Sequence, residues 1–423
     1  MRIVTGGRSR ARFGLVREAG GFRLLFFATL ASSIGTWLAF VALVVDVFDR
    51  TENASWVSAL LVVEFLPSVI IGFLAGRLLD IASRRWILVI ADLARAAVFF
   101  VLPFATSPTQ IVALAFVAGM ATSLFRPAVY AGLPNLVSDE DLPQANGLLQ
   151  AADNFTWAIG ALVGGALVAA TSPDAAYVVN AFSFLVSALL IVRIRESLEE
   201  AERAPSRGHW RDLADGFSFA LRSKSLLTII VAWSIAVFAT AGVNVAEIVL
   251  AKDVFDAGDF GYGLLVAAGA VGLMLGSFFG GGWIEQRGMA LPYGISIGLM
   301  ALGFGAAAVA PNVWVAAIVV VAAGAGNGVA VITNAVLVQR GAPDRLRGRA
   351  FAVVMSLGYG FLGLGMIVAG PLTNQAGART VWAVAAGLLA IAAVIGFLLA
   401  RRVDSEVRRV PVRHASGPEP ARD

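Results

Sequence analysis

The ionisable side chains that fall inside long apolar stretches of the sequence include Glu64, Asp92, Arg95 and Asp153. A charge at mid-membrane depth costs several kcal/mol unless it is paired or neutralised, so each is a candidate for chemistry. Glu64 stands about nine residues into its run and three before Pro67. Low-dielectric surroundings disfavour an ionised carboxyl group, so such a group can hold a proton and release it when water enters. The alternative is a neutral acid hydrogen-bonded to a neighbouring helix. Asp92 and Arg95 share a helical face at i and i+3, as a self-satisfied pair or as part of a coupling relay. Asp153, beside Asn154, serves either coupling or helix–helix hydrogen bonding. Asp46 and Glu247 lie near the ends of their runs. Interfacial water accounts for Asp46, whereas Glu247 with Asn244 is placed either to meet a cationic substrate or simply to be solvated.

Much other chemistry is excluded. The chain has no cysteine, and its two histidines, His209 and His414, lie in polar segments. No thiolate or histidine metal site and no buried histidine relay can be assembled within the apolar runs. No Gly-x-x-x-x-Gly-Lys-Ser/Thr loop exists, and the only lysines are Lys224 and Lys252, so ATP is not the direct energy source. With no nucleophile–base–acid set in hydrocarbon, the chain reads as neither an enzyme nor a cofactor protein.

The elements that carry these residues follow from composition. Of 423 residues, 58% are hydrophobic and only 14% charged, too few to cover a soluble surface. About 20 apolar residues at 1.5 Å rise span a hydrocarbon core of roughly 30 Å. Twelve such runs begin near Arg23, Ser55, Trp86, Ile111, Ala145, Ala175, Leu226, Tyr262, Leu291, Val313, Ala350 and Val381. They are long and continuous without period-2 alternation, which selects helices over barrel strands. The first run, Leu24 to Val47, is too long for a signal-peptide core.

With the amino terminus in the cytoplasm, only Arg50, Lys252 and Arg379 of the 32 lysines and arginines fall outside. Arg95 and Arg126 sit at membrane depth and the rest lie inside, which fixes both termini as cytoplasmic. The net charge of +4 is therefore directed at anionic lipid headgroups, not at nucleic acid. The expected layout is a basic arm (1–22), a six-helix bundle (23–192), a polar linker (193–225), a second six-helix bundle (226–400) and a basic tail (401–423). Trp210, Leu213, Phe217 and Leu221 in the linker are spaced for an interfacial helix or a short connector on the cytoplasmic ends. The halves echo each other. Gly76-Arg-Leu-Leu-Asp80 corresponds to Gly281-Gly-Trp-Ile-Glu285, and Ala128-Val129 to Ala335-Val336, at nearly the same offset.

The segment Leu66-Pro67, Gly72, Gly76 to Asp80, then Arg84-Arg85 resembles the signature loop of the major facilitator superfamily. With Asp92-Leu-Ala-Arg95, Phe125-Arg126-Pro127-Ala128, Leu133-Pro134-Asn135 and Ala145-Asn146-Gly147, it resembles the branch of macrolide-efflux and enterobactin-type siderophore exporters. Ile81 and Ser83 depart from the usual basic residue and glycine. Gly160-Ala-Leu-Val-Gly164-Gly165 is similar to an antiporter motif but has Ala161 for proline. Its glycines equally suit close helix packing.

The resemblance implies an all-α fold of twelve membrane helices in two pseudo-symmetric bundles around a cavity lined by helices 1, 4, 7 and 10. Trp37, Phe40, Trp233, Phe238, Asn327, Asn334 and Glu247 are then candidates for the substrate, although aromatic residues more often face lipid or core. Gly76, Asp80, Arg84, Arg85 and Arg126 would form a cytoplasmic gate, with Asp80 reaching Arg126 and the start of helix 11 near Arg349. The expected protein is a monomeric, proton-coupled exporter of amphipathic drugs or siderophores in the bacterial cytoplasmic membrane. An importer or facilitator in the same fold, and a scaffold or sensor without flux, remain alternatives.

Overall fold

The computed structural model describes residues 14–81, 83–198, 218–219, 222–342 and 344–409, with side chains at all of these except 17–18, 68–81, 344–352 and 405–409. The linker positions Trp210, Leu213, Phe217 and Leu221 lie outside the described residues. So do the side chains of Asp80 and Arg349, and with them that part of the expected gate.

After a five-residue turn at Gly14–Glu18, long helices follow one another. They are α1 (Gly20–Thr51), α2 (Ala54–Ile81), α3 (Arg84–Val101), α4 (Pro108–Gly132), α5 (Leu142–Ala170) and α6 (Pro173–Val192). Then come α7 (Lys224–Val254), α8 (Gly258–Arg287), α9 (Ala290–Ala308), α10 (Val313–Gly341), α11 (Asp344–Ala376) and α12 (Ala378–Arg409). No strand occurs among the described residues. Eleven of these helices are long and apolar enough to cross a membrane. In the remaining one, α2, the apolar stretch among the described residues, Ala54–Pro67, is shorter.

Local chemistry sets the ends. Ser107 caps α4 in a reciprocal capping box with Gln110, ahead of Pro108. Ser172 caps α6 ahead of Pro173, and Asn312 caps α10. Glu52, in the left-handed region at φ 48°, closes α1 and turns the chain into α2 within two residues. Asp404, in the last helix, accepts hydrogen bonds from the free amides of Met289 and Ala290 at the start of α9.

The neighbour pattern repeats. In the first half α1 packs on α5 and α6, α2 on α4, and α3 on α4 and α6. In the second half α7 packs on α11 and α12, α8 on α10, and α9 on α10 and α12, which is the same scheme six helices later. The largest contacts between the halves are α2 with α11 and α5 with α8, with smaller ones of α7 on α1 and α2 and of α8 on α1. Small residues make the closest crossings: the glycines 272 and 276 of α8 lie against the backbone of α10 around Gly324 and Ala325. Such stripes replace the missing hydrophobic drive between helices in lipid. Outward-facing residues such as Phe278, Phe279, Leu302 and Ile318 are exposed, as a lipid-facing surface requires.

Candidate functional site

Inside the first half, a cavity of about 50 Å³ is lined by Thr36 and Leu43 of α1, Glu64 of α2, Phe99 of α3, Gly119 and Thr122 of α4, and Phe184 of α6. It has room for about three waters. Glu64, about ten residues into α2 and so roughly 15 Å from its start, is half-buried. Its Oε2 is shut off from solvent and has no hydrogen-bond partner among the described residues. The cavity belongs to the helices of one half and does not lie between the halves.

Behind Phe184 lies the pair anticipated on α3. Arg95 donates to Asp92, and both are buried. The guanidinium is held between two rings, 4.3 Å from the centroid of Phe125 and 4.2 Å from that of Phe184. Asp92 Oδ2 is buried without a hydrogen-bond partner among the described residues.

Arg126 and Asp153 meet each other. Arg126 Nη2 donates to Asp153 Oδ2 at 2.8 Å, and Ser33 Oγ donates to Asp153 Oδ1 at 3.2 Å, joining α4, α5 and α1. The two residues, expected in different parts of the site, thus share one ion pair, and Asp153 makes the helix–helix hydrogen bonding that was one of its two expected roles. Arg84 reaches the carbonyls of Ala131 and Leu198, and Arg85 that of Glu196, so the basic pair ties α3 to the segment after α6.

The glycines of α5 present two faces. A Cβ on Gly160 would stand 2.8 Å from the Trp37 Cβ, and one on Gly164 2.6 Å from the Leu38 carbonyl, so both seat α5 on α1. Gly165 instead meets Gly263 of α8, where an added Cβ would lie 2.9 Å from the Gly263 Cα.

Of the aromatic candidates, Trp37 stacks on Trp157 at 4.8 Å and meets Phe40 edge-on. Trp157 gave no sequence signal beyond its type, and its Nε1 is buried without a partner among the described residues. Phe238 borders an apolar cavity of about 40 Å³ formed with α11 and α12. Trp233 ends a π-helical turn, Ile229–Trp233, in α7. Asn334 accepts a hydrogen bond from the Tyr293 hydroxyl at 2.8 Å and so ties α10 to α9. Asn327 is half-buried on α10. Glu247 is buried, with no hydrogen bond or ion pair among the described residues, and Tyr262 lies within electrostatic reach of both Glu247 and Glu64.

One set escaped sequence reasoning. At the end of the molecule away from the termini, Lys252 of α7 donates to Asp49 of α1 and, at 2.7 Å, to Asp259 of α8. Beside it, Asn374 Oδ1 accepts from the Ala54 amide at 2.9 Å, and Asn374 Nδ2 donates to Asn53 Oδ1 at 2.7 Å. These contacts clasp the halves together. The available signal was a lone lysine among Asp49, Glu52, Asp253, Asp256 and Asp259.

The family model for transmembrane secretion effectors, a major facilitator group, matches residues 16–422. The chain belongs to that family. Relatives of this transporter include the multidrug efflux pump Tap of Mycolicibacterium fortuitum, 27% identical over 90% of this chain and 96% of that one. The MFS-type transporter YfiS of Bacillus subtilis is 25% identical over 90% and 93%. Among solved structures, the nucleoside transporter NupG (D323A mutant) superposes with a TM-score of 0.76 at 15% identity, covering 90% of this chain and 99% of that one. An inward-facing, unoccupied bacterial homolog of the lysosomal transporter Spinster superposes at 0.72 with 14% identity, covering 92% and 98%. These structures share the transporter fold. The family and its structural neighbours are transporters, not enzymes.

Proposed function

We propose that this secretion-effector transporter is a proton-coupled exporter of small amphipathic molecules, drugs or siderophores. In this reading its twelve helices form two six-helix bundles that alternate access to a substrate path between them. The observation that carries the reading is Glu64, a carboxyl group at mid-helix depth whose inner oxygen finds no donor among the described residues. A group so placed is favoured to hold a proton in one state and lose it in another. The repeated neighbour pattern supports two bundles, and the efflux pump Tap among the relatives supports export. Arginine distribution supports a bacterial cytoplasmic membrane with both termini inside, anionic lipids at that face and the Lys252 clasp outside. The protein is read as a monomer.

In everted vesicles, wild-type protein should concentrate a fluorescent amphiphile such as ethidium when a pH gradient is imposed. Glu64→Gln, inserted at normal levels, should not. Undiminished gradient-driven uptake by that variant removes Glu64 from the mechanism.

A further inference from the structure

Where α5 crosses α8 the fit is tight, and the same two helix faces part further along. A Cβ added to Gly165 would stand 2.9 Å from the Asp259 carbonyl oxygen, and one added to Gly263 2.6 Å from that of Ala161. The higher number on α5 meets the lower on α8, so the two helices run antiparallel. Gly147 stands eighteen residues before Gly165, and Gly281 eighteen after Gly263. Eighteen residues make about five turns, so each of these glycines repeats the face of its counterpart roughly 27 Å along the helix. Both steps lead to the end of the molecule that holds the termini.

At Gly147 and at Gly281 nothing lies within 4 Å of an added Cβ. The faces open gradually toward them. On α5, Ala161 and Ala158 are buried, Asn154 is half-buried, and Ala151 and Gly147 are exposed. On α8, Ala267 and Ala270 are buried, Met274 is exposed and Gly281 is half-buried. The opposite face of α8 is filled along the same stretch, where the glycines 272, 276 and 280 lie against α10. Packing within the second half therefore does not account for Gly281. Glycine weakens a helix interior unless another backbone must come close. The other large contact between the halves repeats the pattern. Gly370 of α11 lies against Ala54 and Ser55 of α2, whereas Gly363, about two turns nearer the termini on that face, has nothing within 4 Å.

On the alternating-access reading, we infer that Gly147 and Gly281 form a seat, empty in this state, on which α5 and α8 meet when the end holding the termini closes. The occupant of each face is the other helix, because the faces continue an interface already made at Gly165 and Gly263. Small residues at both positions allow the same main-chain approach there. Asp259, bound by Lys252, stands one turn from Gly263, so closure at the seat pulls on the clasp between the halves.

The chain has no cysteine, so Gly147→Cys with Gly281→Cys reports the contact directly. A disulfide needs the two Cα atoms within about 7 Å. Oxidation by copper phenanthroline in membranes should cross-link this pair at least fivefold faster than a control pair, Gly147→Cys with Phe279→Cys, whose second site faces away on α8. Adding Lys252→Met should speed the seat pair further and leave the control unchanged. Gly147→Leu and Gly281→Leu each fill the seat. Both should melt at or above the wild-type temperature, because the space is empty here, yet slow maleimide labelling of Asn244→Cys at least fivefold. A merely structural glycine would lower the melting temperature instead. A seat pair that cross-links no faster than the control, or leucine variants that label at the wild-type rate, overturns the seat. Ethidium flux is scored separately: cross-linking without flux refutes export alone, and flux without cross-linking refutes this seat alone.

Discussion

The Ser58 hydroxyl donates a hydrogen bond to the Met366 carbonyl at 2.7 Å, in a buried contact that joins α2 to α11. Eight residues along α11, Asn374 binds Asn53 and the Ala54 amide. Across the interface, Lys252 holds Asp49 and Asp259. Among the described residues, the polar contacts between the halves gather toward the end away from the termini.

Removing Lys252 should loosen that end. Lys252→Met leaves Asp49 and Asp259 without their shared cation. Partly exposed pairs of this kind are worth about 1 kcal/mol, or about a fivefold shift between closed and open forms. Because the chain has no cysteine, Asn244→Cys on α7 provides a single reporter. An impermeant maleimide should label it about fivefold faster in the Lys252→Met background, and equal rates would show that the clasp does not gate access.

The Asp92–Arg95 pair should behave as a buried unit. Asp92→Leu alone strands a guanidinium in the core and should cost about 3–5 kcal/mol, whereas Asp92→Leu with Arg95→Leu should recover much of that loss. Thermal unfolding in detergent measures both. A double variant no better than the single one would show that the pair does more than neutralise itself.

Glycines should separate by their surroundings. Gly165→Val drives a side chain into the backbone of α8 and should destabilise by about 1–3 kcal/mol, with loss of transport. Gly147→Ala has nothing within 4 Å of the new Cβ and should stabilise by up to about 1 kcal/mol through helix propensity. Equal melting temperatures for the two variants would contradict the packing at the α5–α8 crossing.

Tyr293→Phe should act on stability and not on substrate. It orphans the Asn334 carbonyl oxygen, a loss of about 1–3 kcal/mol. Ethidium affinity, read by fluorescence titration, should stay within twofold of wild type. A larger change would return Asn334 to the substrate path.

The parts legible in the sequence were those written over short distances. Apolar runs mark the helices, and a two-residue step such as Glu52–Asn53 leaves no choice but reversal. Asp92 and Arg95 stand one helical turn apart, so their pairing needs no knowledge of the fold. Arg126 and Asp153 are 27 residues apart on different helices, and only the packing of α4 and α5 around α1 brings them together. Lys252 and Asp49 are 203 apart, in different halves. Glu64 stood out by type and depth, yet its cavity within one half depends on where α1, α4 and α6 place their hydroxyls and rings. Asn334 looked free because its partner, Tyr293, belongs to the preceding helix.

Gly165 and Gly263 put main chain against main chain where α5 crosses α8. No rotamer there must swing aside when one body tilts on the other, and no hydrogen bond between side chains must snap. In the proposed alternating-access cycle the crossing would serve as a bearing, and the charged clasp at the rim as the latch.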